Sequence, residues 1–269
     1  MASVPAPEDF LDPQTQAFYC RMLHALTATG APFLVGGAYA FGRYTGIERH
    51  TKDLDVFVHR RDYERIMQAL ADSGCRTELT FPHWLGKARC SDDFIDVIFS
   101  SGNGIAEVDD EWFEHARDGT ILGMPVKLSP PEEMVWSKAF IMERERFDGA
   151  DINHLIRACG AELDWARLLR RFGPHWRVLL AHLVMFGYVY PALRDQVPDW
   201  LFDDLLGRIW QEAHGAPLPV RVCRGTLLSR AQYLIDVERW GYEDARLTPT
   251  GSMTWREVAR WTAAIGQDR

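Results

Sequence analysis

The sequence predicts an α/β (α+β) protein, in which a small mixed β-sheet with flanking helices is followed by a mainly helical C-terminal region. Three observations carry this expectation. In Asp53-Leu54-Asp55-Val56-Phe57-Val58 the residues two apart share a face, so both carboxylates point one way while Leu54, Val56 and Val58 anchor the other. Phe94-Ile95-Asp96-Val97-Ile98-Phe99 is a β-branched and aromatic run that reads as a buried strand. From Ser129 onward the apolar residues recur at helical spacing instead.

Taken in order, Pro13 to Thr29 places Phe18, Met22, Leu23 and Leu26 on one helical face, and Gly30-Ala31-Pro32 closes it. Phe33-Leu34-Val35 is the first strand, and Gly36-Gly37 opens a helix from Ala38 to Tyr44. Asp62 to Ser73 is amphipathic through Tyr63, Ile66, Met67 and Leu70. Strands are expected at Arg76 to Thr80, Trp84 to Cys90 and Phe94 to Phe99, and a hairpin around Gly123-Met124-Pro125 within Thr120 to Leu128. Ser101-Gly102-Asn103-Gly104 lacks a Walker lysine and reads as a turn.

Ser129-Pro130-Pro131-Glu132-Glu133 carries helix-start chemistry and marks a domain boundary, dividing the chain into residues 1–129 and 130–269. Helices are expected at Glu132 to Phe147, Asp151 to Cys159, Leu163 to Phe172, His175 to Tyr190, Trp200 to Ala213 and Arg256 to Ile265. Within them, Glu143-Arg144-Glu145-Arg146 reads as a solvated ion-paired face, and Asp148 or Asp151 as a cap. Cys223 to Gly251 has no clear periodicity.

Composition excludes several classes. Five cysteines without a Cys-x-x-Cys pair suit reduced thiols in a cytosol rather than zinc or a disulfide framework, so a cytoplasmic location is expected. Met1 to Asp9 lacks a basic region followed by an apolar core and reads as a lead-in rather than a secretory signal. The apolar run Val178 to Tyr190 holds His182 and stops at Pro191, which fits a buried helix better than a membrane span. No His-Glu-x-x-His arrangement is present, and His50 and His59 read as surface residues. A net charge of −8 does not support broad nucleic-acid binding. The densest basic stretch, Arg167 to Arg177, reads as a solvated helix face.

The chemistry-bearing residues are Asp53, Asp55 and Asp96. With 38 acidic residues in 269, about five Asp/Glu-x-Asp/Glu pairs arise from composition alone, so the pair needs support from its context. Asp96 supplies it: a carboxylate in an apolar strand is costly unless paired. If it lies beside Asp53 and Asp55, a shared hard cation such as Mg²⁺ would offset the burial and like-charge penalties. The alternatives are a rim position or an Arg-paired core Asp. The helix opened by Gly36-Gly37 offers N–H groups and a dipole suited to phosphate.

Val35-Gly36-Gly37, Asp53-Leu54-Asp55-Val56 and the later Asp96 resemble the signature of the DNA polymerase β-like nucleotidyltransferase superfamily, in the right order within residues 33 to 99. The Gly37-to-Asp53 spacing is at the long end of that pattern, and Gly37 stands where many members have Ser. The Gly-Gly form with a nearby Arg is similar to antibiotic nucleotidyltransferases and to the nucleotidyltransferase toxins of toxin–antitoxin systems.

The resemblance implies a nucleotidyltransferase core and transfer of a nucleoside monophosphate from an NTP to an acceptor hydroxyl, with release of pyrophosphate. Asp53, Asp55 and Asp96 would bind Mg²⁺, or Mn²⁺ in its place, and carry the catalysis. Gly36, Gly37 and Arg49 would hold the nucleotide; Arg43, His50 and Lys52 lie in the same stretch. Lys138, in the helix after the sheet, would meet the phosphates. The acceptor could be a small molecule, an RNA or a protein, and a toxin-like member would have an antitoxin partner. The alternative class is a non-catalytic nucleotide-binding or protein-interaction module that keeps the fold; hydrolysis of phosphates on the same carboxylates is a third reading.

Overall fold

In the computed structural model, which describes residues 11–49, 51, 53–216, 220–229 and 231–263, Asp12 accepts from the amides of Gln14 and Thr15 at 2.9 and 3.0 Å and Pro13 follows it. This starts α1 (Pro13–Ala28), whose buried face adds Tyr19 to the expected Phe18, Met22, Leu23 and Leu26. The chain then runs through β1 (Phe33–Val35), α2 (Gly37–Thr45), β2 (Asp53–Val58), α3 (Tyr63–Asp72), β3 (Arg76–Phe81), β4 (Leu85–Cys90) and β5 (Asp93–Ile98). A short α4 (Asp110–Glu114) precedes the hairpin of β6 (Arg117–Ile121) and β7 (Met124–Leu128).

These strands form a mixed seven-stranded sheet in the order β3-β4-β5-β2-β1-β7-β6. β2 and β5 run parallel with Leu54 opposite Ile95 and Val56 opposite Val97. Residues directly opposite share a face, so all four enter one core layer, where each is buried. By the same alternation Asp55, opposite Asp96, must emerge on the other face. α1 packs on α3, and α3 on β3 and β4.

The described residues divide into two compact units: everything up to Pro130 together with Thr250–Met253, and Pro131–Pro249 together with Thr254 onward. The second unit contains α5 (Pro131–Lys138), α6 (Gly149–Cys159), α7 (Trp165–Phe172), α8 (Trp176–Val189) and α9 (Asp199–His214). Beyond them come the two-residue β8 (Val222–Cys223), α10 (Leu234–Glu238), β9 (Glu243–Asp244) and α11 (Trp255–Ala263). β8 and β9 pair in parallel, and next to them Arg246 is buried on Asp244 at 2.6 Å. The expected Cys223 to Gly251 irregularity is this set of short pieces, with the buried Asp244–Arg246 ion pair among them.

The helix from Glu132 does not reach Phe147; it stops at Lys138, and the chain turns back so that Met142 pairs with Phe147. Lys138 lies 2.9 Å from both Asp148 and Asp151, and the Asp148 amide bonds Ile141 O at 3.2 Å, which leaves residues 144–146 in an exposed loop. Asp148 does sit at the N-cap of α6, but its carboxylate serves Lys138 and Arg146 rather than a helix amide. Arg167 is not on a solvated face. It is 2% exposed, with Nη2 2.7 Å from Glu132 Oε2 and Nη1 bonded to Glu133 Oε1, because α7 lays its first turn on the acidic first turn of α5.

No described helix is long and apolar enough to cross a membrane. α8 buries Leu179, Leu180, His182, Leu183 and Phe186. All five cysteines are free. The N-terminal lead-in to Asp9, His50, Lys52 and Ile265 lie outside the described residues.

Candidate active site

The site is built where β1 hands over to α2. Gly36 donates its amide to Asp55 O at 3.0 Å, tying the turn to the strand that carries the acidic pair. Gly37 has φ +53°, and a Cβ there would overlap Asp55 Oδ2, while a Cβ on Gly36 would overlap the Phe57 ring. A serine at position 37 would therefore displace the carboxylate it faces. This is the steric reason for glycine at the position where the resembling pattern often has Ser.

Asp53, Asp55 and Asp96 each offer an oxygen, and these oxygens lie within 4.8 Å of one another. The parallel register sets this: Asp55 is directly opposite Asp96, and Asp53 is two residues along the same face. Asp96 is buried, and Thr51 Oγ1 donates to Asp53 Oδ1. Three like charges this close are tolerated when a cation is among them, and the oxygen-only donor set fits a hard divalent ion.

A lysine that the strand pattern does not single out also belongs to the site. Lys87 on β4 is opposite Asp96 and places Nζ 2.6 and 2.9 Å from its two oxygens, with the ammonium 4.6 Å from the Phe94 ring centroid. Burial pushes the Asp96 carboxyl above the ordinary aspartate value, and the Lys87 hydrogen bonds and charge hold that rise in check. A signal was present: only Ser91 and Asp92 separate β4 from β5, and an antiparallel hairpin with that loop sets 87 against 96.

The remaining expected site residues are placed as follows. The exposed Arg49 lays its guanidinium 4.5 Å from the centroid of Phe41, on α2. Lys138 belongs to the second unit, between Asp148 and Asp151. For Asp148, burial works to raise the pKa, but Arg146 and Lys138 outweigh it and hold the carboxyl below the ordinary value. His59, expected at the surface, is buried at the end of β2 with Nε2 2.8 Å from Asp110 Oδ1 and its ring stacked on Phe113 at 4.2 Å.

Solved nucleotidyltransferases are similar in structure to this chain. The antibiotic-resistance factor ANT(2″)-Ia matches at 17% identity over 66% of this chain and 99% of its own, with a TM-score of 0.46. An antigenic nucleotidyltransferase-like protein from Paracoccidioides brasiliensis matches at 17% over 69% and 93%, with a TM-score of 0.44. The lincosamide antibiotic adenylyltransferase LnuA, with lincomycin bound, matches at 13% over 54% and 96%, with a TM-score of 0.39. No protein-family model and no curated protein matches the sequence.

Proposed function

We propose that this protein is a divalent-metal-dependent nucleotidyltransferase that moves a nucleoside monophosphate from an NTP to an acceptor hydroxyl and releases pyrophosphate. The observation that carries the reading is the convergence of Asp53, Asp55 and Asp96 beside a glycine turn whose second residue abuts Asp55. The three carboxylates would hold Mg²⁺, or Mn²⁺ in its place. When bound, that ion would neutralise phosphate charge and lower the barrier to in-line displacement at the α-phosphorus.

The chain's own residues would do the rest. The amides opening α2 at Gly36-Gly37 would bind phosphate oxygens, with Arg49 neutralising the departing pyrophosphate. Asp96 would take the acceptor hydroxyl's proton, and Lys87 would hold it in position to do so.

A second reading, a non-catalytic nucleotide-binding or interaction module on the same fold, is favoured by one observation: Lys87 touches both oxygens of Asp96 and so competes for them. Calorimetry of ATP, GTP, CTP and UTP with Mg²⁺, run on the intact protein and on a D53A/D55A variant, tests the first reading. Metal-dependent binding lost in the variant is expected. Binding that survives it would refute a metal site on β2, and turnover that survives Asp96→Asn would refute the role given to Asp96.

A further inference from the structure

β3 and β4 bring two cysteines together at the open end of their hairpin. Arg76 is opposite Arg89, and one step outward along the same ladder stand Cys75 and Cys90. The Cys75 amide bonds Leu70 O at 3.1 Å rather than its cross-strand neighbour, which makes this a non-hydrogen-bonded pair. Such pairs hold their Cα atoms about 4.5 Å apart, inside the span a disulfide bridges. Both sulfurs also face the same helix: Cys75 Sγ lies 3.4 Å from Met22 Sδ and Cys90 Sγ 4.0 Å from Arg21 Nη2, on consecutive residues of α1. Cys90 Sγ also lies 3.4 Å from Gly74 O, on the residue next to Cys75.

We propose that Cys75 and Cys90 are a dithiol modification site that a small-molecule disulfide oxidises to an intramolecular disulfide. The two thiols have different roles. Cys90 is half-buried, with a guanidinium beside it, and Cys75 is buried. Burial first, then the Cys90 contact, pushes the Cys75 thiol up to about 12, so it does not initiate the exchange. The Cys90 thiolate attacks one sulfur of the oxidant RSSR, forming Cys90–S–SR and expelling RS⁻. Cys75 then attacks the Cys90 sulfur, the second RS⁻ leaves, and the two protons lost by the cysteines end on the two departing thiolates. The product closes the edge hairpin that carries Lys87.

The test is to incubate the reduced wild-type protein with oxidised glutathione, count free thiols, and map cross-links by non-reducing digestion and mass spectrometry. The wild type is expected to fall from five free thiols to three, with Cys75 linked to Cys90 and no glutathione retained. A Cys75→Ser variant is expected to stop at a glutathionyl adduct on Cys90. A wild-type protein that keeps glutathione on Cys90, links a different pair, or retains all five thiols would overturn the proposal.

Discussion

Lys87 reaches both carboxylate oxygens of Asp96 across the β4–β5 ladder, at 2.6 and 2.9 Å. The pair joins a residue of the candidate site to the neighbouring strand, whose Arg89 also acts on the Asp96 charge. Removing the ammonium with Lys87→Met takes away the bonds that restrain the rise in the Asp96 pKa, so the carboxyl stays protonated to higher pH. The pH below which Mg²⁺-dependent NTP binding falls off is expected to be higher in the variant, with about a tenfold weakening in the acidic limb for each unit the pKa moves. Calorimetry across a pH series checks this; parallel wild-type and variant profiles would show that Lys87 does not govern Asp96.

Gly37→Ala should cost far more than Gly30→Ala. Both glycines have positive φ, +53° and +67°, but a Cβ at Gly30 meets nothing within 4 Å whereas one at Gly37 overlaps Asp55 Oδ2. Each variant loses about 1–3 kcal/mol from backbone strain, measurable by urea unfolding. Loss of metal-dependent nucleotide binding is expected in G37A alone.

In the second unit Arg167 is the centre of a buried ion cluster with Glu132 and Glu133, and Arg171 Nε stands 3.2 Å from Glu133. Arg167→Met leaves two buried carboxylates without their main partner and is expected to destabilise the fold by about 3–5 kcal/mol. Arg171→Met should cost less, since Arg167 remains on Glu133. Equal midpoints for the two variants in urea would contradict the central place of Arg167.

His182 is buried, with Nε2 2.9 Å from Ala139 O. Burial lowers its pKa, and the bond to Ala139 only partly opposes this. Below the ordinary histidine value of about 6.5 the unfolded chain binds a proton that the folded chain refuses, so stability falls as pH drops, by up to about 1.4 kcal/mol per pH unit. A His182→Gln variant should lose that increment, and unfolding curves between neutral and mildly acidic pH compare the two slopes.

Much of this was legible in local pattern. The period-two strand at Asp53 to Val58 was readable because alternation alone assigns faces, and α1 because its cap, Pro13 and its apolar stripe agree. Three placements were not. The end of α5 at Lys138 depends on Asp148 and Asp151, ten and more residues away. The burial of Arg167 depends on the acidic first turn of α5, and that of His59 on Asp110 and Phe113. Helical spacing locates an apolar stripe but does not say which charge faces another element.

By itself the sequence determined the α/β core, the carboxylates of β2 and β5 and the glycine turn, since these follow from periodicity and residue type. Tertiary structure alone decided that Asp55 and Asp96 stand opposite one another and that Gly37 must lack a side chain because Asp55 fills its space. Each of these is a distance between residues far apart in the chain, set by strand order and register, which no local preference encodes.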